Sequence, residues 1–78
     1  MATLELYGTA RCPYTQDLRE WLEWTMREFR EYDVEADPEA RARIRALGSG
    51  IRTVPVLVED GRVIQIGWQG RGCIVGAD

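Results

Sequence analysis

The sequence contains no histidine and no lysine, and its only serine is Ser49. Without histidine, a catalytic triad with an imidazole base is impossible, and the commonest metal-ligating side chain is missing. The two cysteines of the chain cannot complete a four-thiolate zinc site by themselves. Any covalent chemistry therefore falls on Cys12 and Cys73, and no metal is expected.

Long apolar segments are missing as well. No run approaches the roughly 20 residues that a transmembrane helix requires, and Met1–Gly8 lacks the basic and apolar regions of a signal peptide. Ten basic residues, all arginine, face 13 acidic ones, which gives a net charge of −3. Because phosphate neutralisation dominates nucleic-acid binding, a small acidic chain is a poor candidate for it. We expect a cytoplasmic monomer that binds neither nucleic acid nor membranes.

The size and composition of the chain indicate one small domain. Its 78 residues are 45% hydrophobic and 29% charged, which is typical of a globular protein. A chain of this length buries only about 60% of its unfolded surface. We therefore treat residues 1–78 as a single domain with a thin core.

Hydrophobic periodicity predicts helices alternating with strands in the first two thirds of the chain. Alternation over Thr3–Tyr7 predicts a strand, and apolar residues recurring every three or four positions predict a helix from Pro13 to about Phe29. Tyr32–Ala36 follows as a second short strand. A second helix is expected from the N-cap Asp37 to about Leu47, and Gly48-Ser49-Gly50 should end it.

The last third of the chain predicts a hairpin. Val54–Val58 and Val63–Ile66 read as strands, and Asp60-Gly61 between them is a strong turn signal. The tail Gly67–Asp78 fits no element. The resulting order, β-α-β-α-β-β, implies an α/β protein with a four-stranded mixed sheet and helices packed on it. Ligands of such folds sit at the carboxyl ends of the parallel strands, where the first strand leads into a cysteine motif.

The sharpest motif is Cys12-Pro13-Tyr14-Thr15 at the start of the first helix. Unpaired amides and the dipole at a helix N-terminus favour negative charge, so a thiol there tends to be a nucleophilic thiolate. Arg11 adds a positive charge, and the Thr15 hydroxyl can turn back toward the sulfur. The alternative is an inert, buried cysteine that happens to precede a helix.

A second motif, Thr53-Val54-Pro55, begins the third strand. If the Val54–Pro55 bond is cis, the backbone of Val54 can pair with an extended substrate as an added strand. Otherwise Pro55 is a trans proline that starts an edge strand.

Together the segments Tyr7–Thr15, Arg52–Val58 and Asp60–Ile64 resemble a small glutaredoxin of the thioredoxin fold. The resemblance spans Thr3 to about Gly72 in element order and spacing. It implies a glutathione-dependent thiol–disulfide oxidoreductase that reduces protein–glutathione mixed disulfides, with Cys12 as the nucleophile. The implied partners are glutathionylated or disulfide-containing proteins, with glutathione as co-substrate.

The resemblance also implies a glutathione groove. Tyr14 would flank it, the Val54 backbone would pair with the cysteinyl unit beside a cis Pro55, and arginines would bind the glycine carboxylate. The implied glutathione-binding residues are Arg11, Tyr14, Arg52, Thr53, Val54, Pro55 and Gly72.

Four features depart from the glutaredoxin pattern. Thr15 occupies the place of the usual second cysteine, which implies a monothiol mechanism. The lysine that often precedes the nucleophile is absent. Gly70-Arg71-Gly72-Cys73 replaces the usual Gly-Gly-x-Asp segment, with Gly67 as a rival register. The C-terminal helix of the family is expected to be missing or very short.

Cys73 leaves the mechanism open. It resembles a cysteine that some monothiol glutaredoxins carry after the double glycine, so it could resolve Cys12 through a disulfide, or it could simply pack with Ile74 and Val75. Two further functions remain: a monothiol glutaredoxin that holds an iron–sulfur cluster between two protomers, which Pro13 disfavours, and a redox sensor built on a Cys12–Cys73 disulfide.

Overall fold

The structure, a computed structural model, describes residues 3–48 and 51–75. These residues form two helices and six short strands. In chain order the elements are β1 (Leu4–Gly8), α1 (Pro13–Trp24), β2 (Phe29–Asp33), α2 (Pro38–Leu47), β3 (Thr53–Val54), β4 (Val56–Glu59), β5 (Arg62–Ile66) and β6 (Cys73–Ile74).

Four of the strands form a mixed sheet in the order β2-β1-β4-β5. β1 is parallel to β2, as a connection through a helix requires, and antiparallel to β4, which in turn pairs antiparallel with β5. The predicted α/β fold with two helices and a four-stranded mixed sheet is therefore confirmed. Neither of the two described helices is long and apolar enough to cross a membrane.

The core has one layer on each face of this sheet. Because strand side chains alternate between faces, Leu6 packs with Leu18 and Leu22 of α1, whereas Val56 packs in the layer that contains Ile44 of α2. The layer on the α2 side also contains Cys12 and Val54. Both sequence motifs thus contribute a buried residue to this layer.

The first helix ends at Trp24, so its predicted extension to Phe29 is wrong. Met26 adopts a left-handed conformation with φ of 61°, and the N–H groups of Met26 and Arg27 donate to the carbonyls of Glu23 and Leu22. This is the hydrogen-bond pattern of a Schellman cap. Glycine normally marks such a cap, and its absence hides the helix end in the sequence.

The second strand lies three residues earlier than predicted, at Phe29–Asp33 instead of Tyr32–Ala36. Asp33 ends the strand because its carboxylate accepts hydrogen bonds from the N–H groups of Glu35 and Ala36, at 2.9 and 3.1 Å. The turn therefore begins where the alternation of the sequence suggests a strand. Asp37 caps α2 as expected, since its side chain accepts a hydrogen bond from the Glu39 N–H.

The predicted third strand, Val54–Val58, is divided in two by a cis peptide bond between Val54 and Pro55. Val54 ends β3, and β4 begins at Val56. Asp60-Gly61 forms the expected turn between β4 and β5, with positive φ at both residues. The sequence predicts that Gly48-Ser49-Gly50 ends α2. Gly48 does follow the last helical residue, whereas Ser49 and Gly50 lie outside the described residues.

Candidate active site

Cys12 occupies the N-cap position of α1. Its backbone is extended, Pro13 follows at the first helical position, and its side chain makes no capping hydrogen bond. The Cys12 carbonyl instead accepts the N–H of Gln16, which closes the first turn. Only 2% of the residue is exposed. The motif therefore fixes the sulfur at the positive end of the helix dipole.

The cis Pro55 brings the end of β3 to this sulfur. The Cys12 Sγ atom lies 3.8 Å from the carbonyl oxygen of Val54, and both residues are buried. The carbonyl of Pro55 accepts the N–H of Gly67 at 2.6 Å, which ties the start of the tail to the same place. The two motifs that the sequence singles out therefore meet, although 42 positions separate Cys12 from Val54.

The tail, for which the sequence predicts no element, turns back toward β3. Trp68 and Arg71 exchange backbone hydrogen bonds of 2.6 and 2.9 Å, and Gln69 and Gly70 between them have φ of 52° and 78°. These are the marks of a type I′ hairpin turn. No helix follows β5 in the described part of the tail; the residues after the turn form β6 instead.

β6 lies beside β3 in an antiparallel pair. Cys73 is opposite Val54 and Ile74 is opposite Thr53, and the Val75 N–H donates to the Arg52 carbonyl at 2.7 Å. Backbone pairing thus carries the tail along the edge of the strand that precedes the cis proline. This pairing is long-range and leaves no local pattern in the sequence.

Cys12 and Cys73 are joined in a disulfide across 61 positions of the chain. Their Cα atoms are 5.9 Å apart, which is within the usual range for this bond. Cys73 is half-buried and packs, with Val75, against the core layer that contains Cys12. The two cysteines that the sequence leaves as candidates for covalent chemistry are therefore bonded to each other.

The Thr15 hydroxyl does not hydrogen-bond to the Cys12 sulfur. The residue is fully buried, and its hydroxyl has no hydrogen-bond partner among the described residues, the Cys12 sulfur included. A Cβ atom built on Gly8 would lie 2.6 Å from Thr15 Oγ1, so the side chain is packed tightly against β1. The expected hydrogen bond from this hydroxyl to the sulfur is absent here.

The residues predicted to hold glutathione differ in where they lie. Thr53, Val54 and Pro55 lie on or beside the β3 edge, where β6 pairs. Arg11 and Arg52 are exposed, so their guanidinium groups are free to meet a carboxylate from solvent. The Tyr14 ring, half-buried, packs against the core layer around Cys12.

The remaining member of the predicted groove, Gly72, contacts β3 directly. A Cβ atom built on it would lie 2.6 Å from the Val54 carbonyl oxygen and would overlap the Thr53 methyl group. Within residues 3–48 and 51–75, no cluster of three or more histidine, cysteine or acidic side chains could hold a metal ion.

A tyrosine pair that the sequence does not single out lies in the same core layer. Tyr7 is buried and stacks on Tyr32 with ring centres 5.1 Å apart, and its hydroxyl donates to the Glu5 carboxylate at 3.0 Å. Arg43 lies over the Tyr32 ring. Burial, and then the hydrogen bond to Glu5, raises the pKa of Tyr7 above its ordinary value.

The chain is similar to known proteins both in sequence and in structure. The sequence profile of glutaredoxin matches residues 4–64. A mutant of the thioredoxin-like protein BC3987 is similar at a TM-score of 0.70 and 30% identity, over 85% of this chain and 82% of that one. The unmutated BC3987 has a TM-score of 0.64 at 30% identity, over 78% and 82% of the two chains. Glutaredoxin 1 from Francisella tularensis, complexed with cacodylate, has a TM-score of 0.64 at 24% identity, over 87% and 85%. No curated protein sequence matches this chain.

The fold and the cysteine beside a cis proline define a thioredoxin-like protein. The profile match over residues 4–64 assigns it more closely: the chain belongs to the glutaredoxin family. Proteins of this family are in general thiol–disulfide oxidoreductases that use glutathione and act on disulfide-containing or glutathione-bound proteins.

Proposed function

We propose that this protein is a glutathione-dependent thiol–disulfide oxidoreductase that works with two cysteines, Cys12 as the nucleophile and Cys73 as the resolving thiol. The observation that supports this proposal is the Cys12–Cys73 disulfide at the N-terminus of α1. Thr15 removes the second cysteine from the motif itself, and the tail supplies another thiol in its place. The cycle thus differs from the monothiol cycle that the motif alone implies.

The reaction proceeds by exchange at sulfur. The Cys12 thiolate attacks a substrate disulfide, one substrate sulfur leaves as a thiolate, and a mixed disulfide forms on Cys12. The Cys73 thiolate then attacks the Cys12 sulfur, which releases the second substrate thiol and leaves the Cys12–Cys73 disulfide. Two molecules of glutathione reduce this disulfide in two further exchanges and leave as glutathione disulfide.

The positions of three groups support these roles. The helix N-terminus stabilises the thiolate of Cys12 both before attack and when it leaves. The β3 edge is the surface on which the cysteinyl unit of glutathione would pair with Val54, beside the sulfur. The exposed Arg11 and Arg52 are the candidates for its glycine carboxylate.

Turnover of a glutathionylated protein tests the proposal, with glutathione and glutathione reductase supplied and the wild type compared with Cys12→Ser and Cys73→Ser. We expect Cys12→Ser to abolish turnover, because it removes the nucleophile. Cys73→Ser should make the rate depend on the first power of the glutathione concentration, because one exchange with glutathione then completes the cycle. The wild type should approach a second-order dependence at low glutathione, because two exchanges are needed to reduce the Cys12–Cys73 disulfide. The same dependence in both proteins would favour the monothiol cycle, and an inactive wild type would contradict the proposed function.

A further inference from the structure

The tail segment Gly72–Val75 lies on β3 in the manner of a bound peptide. It runs antiparallel to the strand, with Cys73 opposite Val54, and the Val75 N–H donates to the Arg52 carbonyl. Adding a strand to an exposed edge is a general way in which proteins bind extended polypeptides. Because Cys73 is also bonded to Cys12, the segment has the arrangement of a substrate caught as a mixed disulfide.

The closest approach in this pairing is made by the residue before the cysteine. A Cβ atom on Gly72 would lie 2.6 Å from the Val54 carbonyl oxygen and would overlap the Thr53 methyl group. Val54 is buried and precedes the buried cis Pro55, so its carbonyl has little room to move aside. At this position the β3 edge therefore accepts only a residue without a side chain.

We propose that the β3 edge is a binding site for extended polypeptide segments in which glycine directly precedes the reacting cysteine, and that β6 is the chain's own occupant of this site. The proposal rests on the proposed function and specifies its substrates. Glutathione meets the same requirement, because its γ-linked glutamate places an unbranched methylene next to the carbonyl that precedes the cysteine.

The substrate segment and β6 use the same β3 edge in turn. The attack of Cys73 on the mixed disulfide is therefore coupled to the release of the substrate. While a substrate segment is paired with β3, β6 is displaced, and Cys12 carries the substrate cysteine in a mixed disulfide. When β6 returns, the Cys73 thiolate attacks the Cys12 sulfur, the substrate cysteine leaves with the electron pair of the broken bond, and Gly72–Val75 takes its place on β3.

Two activated peptides test the sequence requirement. Arg-Gly-Cys-Ile-Val and Arg-Ala-Cys-Ile-Val, each as a mixed disulfide with thionitrobenzoate, are reacted with the reduced Cys73→Ser variant. Attack of Cys12 on the peptide sulfur releases coloured thionitrobenzoate, which gives the rate. We expect the glycine peptide to react about tenfold faster, the ratio that corresponds to about 1.4 kcal/mol. Equal rates would overturn the proposal.

Two controls separate this inference from the proposed function. The symmetrical disulfide of thionitrobenzoate has no peptide backbone, so its rate of reaction reports the nucleophilicity of Cys12 alone. If this disulfide reacts while the two peptides react at equal rates, the glycine requirement fails and the proposed function stands. In the full chain, Gly72→Ala should shift the equilibrium of the Cys12–Cys73 disulfide with glutathione about tenfold toward the reduced thiols. An unchanged equilibrium would also overturn the proposal.

Discussion

Val54 and Cys73 face each other across the β3–β6 pair, and the carbonyl oxygen of Val54 lies 3.8 Å from the sulfur of Cys12. Backbone pairing and the disulfide therefore act on the same residue, Cys73. The pairing sets the position of the tail, and the bond to Cys12 depends on the redox state. Once the disulfide is reduced, the pairing with β3, the Val75–Arg52 hydrogen bond and the packing of Cys73 and Val75 on the core remain to hold the tail.

Reduction of the disulfide should destabilise the protein measurably. The bond closes a loop across 61 positions, and the chain-entropy model assigns about 4 kcal/mol to a loop of this length. Urea unfolding with and without dithiothreitol measures the difference. Cys73→Ser is the matched control, because its stability should not respond to the reductant; a wild type equally insensitive would mean that the bond does not form in solution.

The buried hydroxyl of Thr15 gives a second prediction. Because it has no partner among the described residues, Thr15→Val should raise the free energy of unfolding by about 1 kcal/mol and leave turnover unchanged. Thr15→Ser, which keeps the hydroxyl and removes a packed methyl group, should instead lower it by about 1 kcal/mol. Loss of turnover in Thr15→Val but not in Thr15→Ser would show that the hydroxyl acts on Cys12 after all.

The cap of α1 gives a prediction that is independent of the redox chemistry. Met26 is 90% exposed and has φ of 61°, a conformation that costs a residue with a side chain about 1–2 kcal/mol. Met26→Gly should therefore stabilise the protein by about 1 kcal/mol in urea unfolding. Glu23→Gly, at an exposed position within α1, should destabilise it by a similar amount. Destabilisation by both substitutions would argue against the left-handed cap.

Alkaline pH should weaken the fold through Tyr7. Its pKa is raised in the folded state by burial and by Glu5, so the unfolded chain releases the phenol proton first, near the ordinary value of 10.0. Stability is therefore fully present below about pH 10 and falls as the pH rises through the raised pKa. Urea unfolding of the oxidised protein between about pH 9 and 11 should show the free energy of unfolding falling with pH. In Tyr7→Phe the slope of this free energy against pH should be flatter. An identical slope in both proteins would exclude Tyr7 as the cause.

The sequence predicts those parts of the fold that depend on local chemistry. The two helices begin where their first residues predict, α1 at Pro13 and α2 after the N-cap Asp37. The turn between β4 and β5 lies at Asp60-Gly61, as predicted. The approach of Cys12 to Val54 follows from the resemblance to glutaredoxins, which combines two motifs that are each ambiguous alone.

Three features of the fold are not predicted by the sequence: the end of α1, the turn at Gln69-Gly70 and the position of β6. The first two are exceptions to local rules, and the third depends on long-range pairing. Met26 takes a position normally filled by glycine, so the helical pattern of the sequence continues past Trp24. Gln69-Gly70 forms a hairpin turn without the usual asparagine or aspartate. The position of β6 depends on the β3 edge, which is distant in the chain, and periodicity over two strand residues cannot reveal it.

The central claim, that Cys73 resolves Cys12, is tested most directly by a single turnover without free glutathione. The reduced protein is mixed with one equivalent of a glutathionylated peptide, quenched with acid, and examined by intact mass and peptide mapping. We expect the wild type to lose two hydrogens, to release the glutathione and to carry the Cys12–Cys73 disulfide, whereas Cys73→Ser should retain a stable adduct on Cys12. A wild type that accumulates the same adduct as Cys73→Ser would contradict the account.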